Sequence, residues 1–287
     1  MRAAFSLIEL SIVILIVGIL IAGVTQGSRL IKDSKVKTAK TLTQSSDVSS
    51  IKDLILWLEP TKAESFVDNI ENGDAIETWY DINPQLSAGK NPTQSGSDER
   101  PTYTTSGING LPSLEFDGTD DYLKISNLKI DGDELEVFMV CKRTAVNSYT
   151  STASFYVDGT NHDYNNVSSF VFAFEDLTGN TLTVSRSGTK SSQTHPGNGV
   201  PYIVSVGFDG TNNTVYLNGQ AASSVASSGN FSIDNILIGT RRINSVDTYE
   251  PYDGLISEMI VFDRALKSKE RNAVNDYLSK KYNISLN

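Results

Sequence analysis

The feature that most constrains this chain is an apolar run near its N-terminal end, AFSLIELSIVILIVGILIAGV, at residues 4–24. Its last 20 residues, 5–24, are enough to cross the roughly 30 Å of a bilayer's hydrocarbon core as one helix. Glu9 places a carboxylate in that run, where an unpaired charge is costly. The run therefore predicts a membrane-inserting helix in which Glu9 either pairs with a cation or lies near the hydrated interface.

A short basic leader, Met1-Arg2-Ala3-Ala4, precedes the apolar run. A secretory signal peptide ends in a small-residue cleavage site behind its apolar core. Here the chain continues into TQGSRLIKDSKVKTAKTL without such a site. We therefore expect any cleavage to fall in front of the apolar run.

The phrase FSLIEL and the helix that follows it resemble the N-terminus of type IV pilins and of the pseudopilins of type II secretion. The resemblance implies that a prepilin peptidase cuts between Ala4 and Phe5 and that the new amine is methylated. It also implies that Glu9, the fifth residue of the mature chain, pairs with the N-terminal ammonium of a neighbouring subunit. Ala4 departs from the glycine that usually precedes the cut.

This resemblance implies three parts: a leader at 1–4, a helix at 5–53 with 5–24 in the membrane, and a head at 54–287. The expected partners are other subunits, the peptidase and the bacterial inner membrane, with the head outside the cytoplasm and later in an extracellular or periplasmic filament. Two alternatives to a pilin-like filament subunit stay open. One is a minor pseudopilin of a type II secretion-like machine, and the other is a membrane-tethered lectin-like protein that does not assemble.

Charge is distributed unevenly along the chain. The net charge is −10, and residues 54–287 carry 17 Lys and Arg against 30 Asp and Glu. By contrast, the segment 29–40 has five cations and only Asp33 as an acid. The overall acidity argues against nucleic acid as a partner. The positive-inside rule would place the basic segment in the cytoplasm, whereas the pilin resemblance places it outside, and we follow the resemblance.

From Leu54 onward the pattern is that of β-structure. YIVSVGF alternates, with Tyr202, Val204, Val206 and Phe208 on one face. Turn sequences such as FDGTDD, LTGN and FDGTNN separate such runs, which predicts an antiparallel sandwich or barrel.

The C-terminal end is predicted to be helical. Ser268 is expected to cap KERNAVNDYLSKKY. An apolar stripe within that segment is expected to face the core, and its members are Val274, Tyr277, Leu278 and Tyr282.

Five phrases of the head resemble, in sequence order, the laminin-G-like, concanavalin A-like jelly rolls of bacterial surface proteins. They are LILWLEP, INGLPSLEFDGTDDYLKI, VYLNG, YDGLISEMIVFDRAL and NDYLSKKYNI. The fold class is therefore expected to be mainly β, with a long N-terminal helix, a jelly-roll sandwich and a short C-terminal helix. The resemblance implies a binding and display module, with carbohydrate, protein and calcium ligands among the family's members.

Catalysis is not expected. A retaining glycosidase needs two carboxyl groups about 5 Å apart, and the Glu-x-Asp-x-Glu phrase of glucanases is absent. The nearest candidates are Asp133-Glu134-Leu135-Glu136 and Glu258. His162 and His195 are the two histidines, too few for a zinc site of the usual kind.

Calcium is the candidate cofactor. Asp117, Asp120 and Asp121 cluster in FDGTDDY, and hard cations prefer such oxygen ligands. Asp158 and Asn161, with Asp163, form a second cluster. The alternative is that these residues only build turns.

A glycan ligand would need exposed aromatic side chains beside polar groups. Tyr149, Tyr156, His162 and Tyr164 are the candidates for this role. We expect the remaining conspicuous side chains, Trp57, Trp79 and Cys141, to lie in the core.

Overall fold

The computed structural model describes residues 7–67, 69–145, 149–174 and 181–287. Within them, a long helix precedes a β-sandwich, and a short helix follows it. The predicted fold class, mainly β with these two helices, is confirmed. Ala4 and Phe5, which flank the predicted cleavage site, lie outside the described residues.

The N-terminal helix, α1, runs unbroken from Leu7 to Gln44. All side chains from 7 to 24 are exposed, and of the described segments only this helix is long and apolar enough to cross a membrane. At its other end the helix joins the head, where Ala39 and Thr43 are buried. One helix therefore has an apolar, exposed half and a half that is docked on the head.

Eighteen strands occur among the described residues, followed by the helix α2 (Ser268–Tyr282). In chain order the strands are β1 (Leu54–Leu58), β2 (Thr102–Thr104), β3 (Ser113–Asp117), β4 (Leu123–Ile125), β5 (Ile130–Gly132), β6 (Glu134–Arg143), β7 (Thr150–Tyr156), β8 (Phe170–Phe174), β9 (Thr181–Arg186), β10 (Thr189–Thr194), β11 (Tyr202–Asp209), β12 (Asn212–Leu217), β13 (Gln220–Ala226), β14 (Phe231–Ile233), β15 (Asn235–Ile238), β16 (Arg241–Ile243), β17 (Val246–Tyr249) and β18 (Asp253–Phe262).

Most of these strands form two antiparallel sheets that pack face to face. The larger sheet has the order β13-β12-β11-β6-β18-β3-β2, and β1 also pairs with β18. The smaller sheet has the order β10-β9-β8-β7-β15-β4. Two short ribbons, β14-β5 and β16-β17, stand apart from the sheets, and β16-β17 borders the candidate site described below.

The alternation in β11 is confirmed by the core between the sheets. Tyr202, Val204, Val206 and Phe208 all lie in that core. The intervening Ile203 is also buried, because α2 and the docked end of α1 cover the outer face of the larger sheet. Burial on both faces explains why β11 contains so few polar residues.

This second core, on the outer face of the larger sheet, joins the stem to the head. It contains Ala39 of α1 and Val48 just beyond it, packed with Trp57 and with the α2 residues Val274 and Leu278. The packing therefore crosses the predicted boundary between residues 53 and 54. A head shortened to 54–287 would lose part of its own core.

The start of α2 differs from the prediction. Ser268 is the first helical residue, and the capping position is Lys267. The carboxylate of Glu270 accepts a hydrogen bond from the Lys267 N–H at 3.0 Å. The Glu270 carboxylate thus makes the hydrogen bond of a capping box that runs from the third helical residue back to the N–H of the capping residue. The predicted apolar stripe of α2 is buried, as expected.

A fully buried ammonium, Lys281 Nζ, lies at the meeting point of stem, sheet and α2. It donates to Glu59 Oε2 at 2.6 Å, to Glu258 Oε2 at 2.8 Å and to Thr43 Oγ1 at 2.9 Å. Both carboxylates are themselves fully buried. The network links the end of α1, the segment after β1, strand β18 and α2.

Burial, the charges of the network and its hydrogen bonds shift the pKa values of Glu59 and Glu258 in opposite directions. Burial disfavours the charge on Glu59, but the Lys281 ammonium and donors from Lys281 and Thr61 outweigh it, so its pKa is lowered. At Glu258, burial raises the pKa, and repulsion from Glu59 adds to the effect against the attraction of Lys281. The pKa of Lys281 is raised, because its two carboxylate partners outweigh its own burial.

Replacing Lys281 should therefore destabilise the fold strongly. We expect Lys281→Met to lower the free energy of unfolding by about 3 kcal/mol or more, because it leaves buried carboxylates without a counter-charge. Exposed Lys280, the preceding residue, provides the matched control, and Lys280→Met should change the value by less than about 0.5 kcal/mol. Urea unfolding followed by fluorescence measures both, and equal effects would contradict this account of the network.

Candidate functional site

Glu9 lies in the first turns of α1, within its apolar half. Its side chain is on the exposed surface of the helix. A group from a neighbouring helix or from the membrane interface would meet it there.

The three aspartates of FDGTDDY lie together where β3 ends. One carboxylate oxygen from each of Asp117, Asp120 and Asp121 falls within 4.8 Å of the other two. The Asp117 N–H donates to Asp121 Oδ2 at 2.9 Å, and the Thr119 N–H donates to Asp117 Oδ1 at 2.8 Å. The turn depends on Gly118, whose φ is +74°.

Like charges make this cluster electrostatically unfavourable without a cation. Asp121 is only 6% exposed. Burial raises its pKa to about 7, against a hydrogen bond from Asp117, and repulsion from Asp117, Asp120 and Glu115 contributes. A divalent cation would relieve that repulsion, so the arrangement is compatible with a metal ion.

The second predicted cluster does not form a cation site. The Asp163 carboxylate is fully buried and pairs with the Arg241 guanidinium at 2.7 Å. Asp158 Oδ1 accepts a hydrogen bond from Asn235 Nδ2 instead. These acids therefore bind protein groups, and the only cluster of metal-ligand geometry in the described residues is at 117–121.

The four predicted ligand-binding aromatics separate into different environments. Tyr156 is 1% exposed, and its hydroxyl donates to Asp247, so its ring is not available at the surface. His162 and Tyr164 lie with ring centroids 5.5 Å apart. Tyr149 is 41% exposed.

Tyr149 and Tyr164 line one cleft of about 360 Å³ next to the β16-β17 ribbon. Charged side chains share it with them. The remaining lining residues are Asn165, Ser185, Gly188, Lys190, Arg241, Ile243 and Glu250.

Arg241 organises one wall of this cleft. Its guanidinium donates to Asp163 Oδ1 at 2.7 Å and to Glu250 Oε2 at 3.0 Å. Its central carbon also lies 5.0 Å from the centroid of the Tyr164 ring. These contacts hold the Tyr164 ring against a fixed cation.

Two buried polar atoms in this wall have no hydrogen-bond partner in the part of the chain that the structure describes. They are the Ser185 hydroxyl and Arg241 Nε. Buried polar atoms are nearly always paired, so these two atoms need a partner, such as an ordered water or a polar group of a bound molecule. Aromatic walls with a few polar groups are typical of small-ligand sites.

Sequence reasoning found the two tyrosines of this cleft but missed Ser185, Arg241 and Glu250. The sequence did contain one indication of them: the phrases RRI and TYE, which place arginines and a glutamate on either side of a short turn within 241–250. Arginines in such an acidic head are few, and a buried arginine needs carboxylate partners.

Three of the carboxylates considered for catalysis have structural partners. Glu136 is buried and pairs with the Arg271 guanidinium. Glu134 accepts the Ala265 N–H at 3.1 Å, and Glu258 belongs to the Lys281 network. The absence of enzymatic activity stays a prediction.

Solved structures share this fold at low sequence identity. Domain 4 of AbnA, a GH43 extracellular arabinanase from Geobacillus stearothermophilus solved with arabinotriose, has a TM-score of 0.51 at 17% identity, covering 72% of this chain and 99% of that chain. The binding domain of botulinum neurotoxin serotype D has a TM-score of 0.53 at 12% identity, covering 80% of this chain and 52% of that chain. A Trypanosoma rangeli sialidase has a TM-score of 0.52 at 12% identity, covering 88% and 39% respectively.

At these identities the likeness concerns the fold alone. This chain spans about half or less of the neurotoxin and sialidase chains. A comparison with curated protein sequences gives no match.

A family model matches more than half of the chain. The match covers residues 117–270, from the aspartate cluster to the first turn of α2. It agrees with the two facing antiparallel sheets and with the jelly-roll resemblance of the head. The chain belongs to the concanavalin A-like lectin/glucanases superfamily.

Proposed function

We propose that this chain is a type IV pilin-like filament subunit that displays its concanavalin A-like head for adhesion through glycan recognition. The observation that carries the proposal is α1, one unbroken helix with an apolar, exposed half and a half built into the head's second core. Such a subunit can pack its helices together while its heads face outward.

The same proposal includes maturation and localisation. Prepilin peptidase would cut between Ala4 and Phe5, and Glu9 would pair with the N-terminal ammonium of a neighbour. The ammonium exists only after cleavage, so processing would be a condition of assembly. Before assembly the chain would be held in the bacterial inner membrane by α1.

The cleft beside the β16-β17 ribbon is the proposed ligand site of the head. Two tyrosine rings beside polar and charged side chains support a saccharide, which has apolar faces and hydroxyl edges. The structure of AbnA domain 4 with arabinotriose indicates that this fold has been solved with an oligosaccharide. Binding without catalysis is proposed here.

Calcium is proposed as a ligand of the aspartate cluster at the end of β3. Asp117, Asp120 and Asp121 would hold it, and it would supply charge neutralisation and stiffen the turn. Burial is the main reason for the raised pKa of Asp121, but repulsion from the neighbouring carboxylates contributes to it, and a cation would remove that repulsion.

Two observations separate the proposal from its alternatives. A mature N-terminus at methylated Phe5, measured by mass spectrometry, would exclude a plain tethered lectin-like protein. Filaments containing this chain in sheared cell fractions would then distinguish a pilus subunit from a minor pseudopilin of a secretion machine.

Glu9→Ala should leave the protein in the membrane but reduce assembly. We expect at least about tenfold less of it in sheared filaments, because the N-terminal ammonium of the neighbouring subunit would lose its carboxylate partner. An unpaired charge in hydrocarbon costs about 3 kcal/mol. Ser11→Ala is the matched control, since the Ser11 hydroxyl bonds back to its own helix at the Ile8 carbonyl. Immunoblots of membrane and sheared fractions give both amounts, and normal filaments from Glu9→Ala would refute the pairing.

Tyr164→Ala and Tyr149→Ala should weaken glycan binding by about tenfold or more, as expected for loss of a buried aromatic contact. The measurement is a glycan array with a soluble version beginning at Ser28, which retains the docked end of α1. Tyr249→Ala is the control, because Tyr249 is 44% exposed yet does not line the cleft. Glycan binding that survives both cleft substitutions would assign it to another surface.

Asp121 should make stability pH-dependent in the presence of chelator. Its folded pKa of about 7 exceeds its unfolded value, so its stabilising contribution is fully present below about pH 4 and is lost as pH rises from there to about 7. We expect the thermal midpoint to fall over this range, and Asp121→Asn to flatten that fall.

Calcium should raise the midpoint above pH 7 in the wild type and not in Asp120→Asn/Asp121→Asn. Exposed Asp276 on α2 provides the control Asp276→Asn, which should respond like the wild type. A midpoint unaffected by calcium would remove the metal from the proposal.

A further inference from the structure

Five cations form a band around α1 between its apolar half and the head. We call Arg29, Lys32, Lys35, Lys37 and Lys40 the basic collar; Asp33 is the one acid among them. Across the described ranges, none of the five lies within 4.0 Å of a carboxylate. Like charges so close together repel one another, which favours an anionic partner from outside the chain.

The collar borders a groove of about 640 Å³ between α1 and the head. Lys32 Nζ donates to the neutral Thr105 Oγ1 at 2.7 Å, so its charge is held in place without being neutralised. The groove is lined by Arg29, Lys32, Asp33, Val36, Lys37, Lys40, Tyr103, Thr105 and Pro112. Four cations against one acid give it a net positive charge.

The groove begins close to the expected membrane surface. With Val24 as the end of the apolar run, Arg29 and Lys32 lie about 7.5 Å and about 12 Å further along the helix axis. The polar headgroup layer is about 5–7 Å thick on each side of the hydrocarbon. The long Arg29 side chain can reach that layer, and Lys32 holds its charge beside it on Thr105. The exposed Leu30 and Ile31 suit the same interfacial depth.

We propose that the basic collar binds the phosphate headgroups of anionic phospholipids, with Arg29 and Lys32 making the first contacts. Anionic lipid is present beside the collar whenever α1 spans a membrane, whether or not subunits assemble. The inference therefore requires only insertion of α1 and does not depend on filament formation or on glycan binding. A juxtamembrane cation adds about fivefold in affinity for an anionic surface.

The test uses the full chain in neutral detergent with an equimolar mixture of phosphatidylglycerol and phosphatidylcholine. The protein is captured and washed, and the retained lipids are quantified by mass spectrometry. We expect enrichment of phosphatidylglycerol over phosphatidylcholine, and Arg29→Gln/Lys32→Gln should remove most of it, because each juxtamembrane cation adds about fivefold in affinity. Salt at about 0.5 M should reduce it as well.

The control is Lys129→Gln/Lys269→Gln, which removes two exposed cations from the head and should keep the enrichment. Equal retention of the two lipids, or enrichment unchanged in Arg29→Gln/Lys32→Gln, would overturn the proposal. Displacement of the lipid by inorganic phosphate at constant ionic strength would assign the groove to a free anion.

Acidic heads of neighbouring chains are the competing partner. Cross-linking of full chains in pure phosphatidylcholine that Arg29→Gln/Lys32→Gln abolishes, without any preference for phosphatidylglycerol, would assign the collar to those heads and would also overturn the proposal. Matched thermal midpoints of the variants establish that the comparison concerns folded protein.

Discussion

The position of the stem on the head depends on one buried ammonium. Lys281 contacts Thr43 from α1, Glu59 beyond β1 and Glu258 from β18, so three distant parts of the chain must meet correctly for its charge to be neutralised. A misplaced stem would leave ions desolvated and unpaired, at a cost of several kcal/mol. The apolar second core packs the stem against the head, and the ion network favours one arrangement of that packing.

Locally encoded features were predictable from the sequence. The alternation of Tyr202 to Phe208, the stripe of α2 and the three aspartates at 117–121 each depend on neighbours in the chain, and the structure has them as expected. Glu258 appeared isolated in the sequence, because its partners Trp57 and Lys281 lie 201 and 23 residues away. The periodicity of apolar residues along the sequence does not indicate contacts between residues so far apart.

The candidate cleft, too, could be predicted only in part from the sequence. Tyr149 and Tyr164 could be proposed from composition, since they occur in one polar, aromatic stretch. Tyr156 occurs in the same stretch but is buried, because it ends β7 inside the smaller sheet and faces Asp247. Arg241 and Ser185 line the cleft from other strands, so only the folded arrangement reveals these polar side chains beside the tyrosines.

The docked half of α1 contains neither glycine nor proline after Gly27, and its last turns are part of the head's core. The head is thus attached to a continuous helix, without a flexible hinge between the two. In a helix of 3.6 residues per turn, moving a contact along by one residue rotates it by about 100°. The direction in which the cleft faces, measured around the axis of α1, would then be determined by how α1 packs against its neighbours, far from the cleft itself.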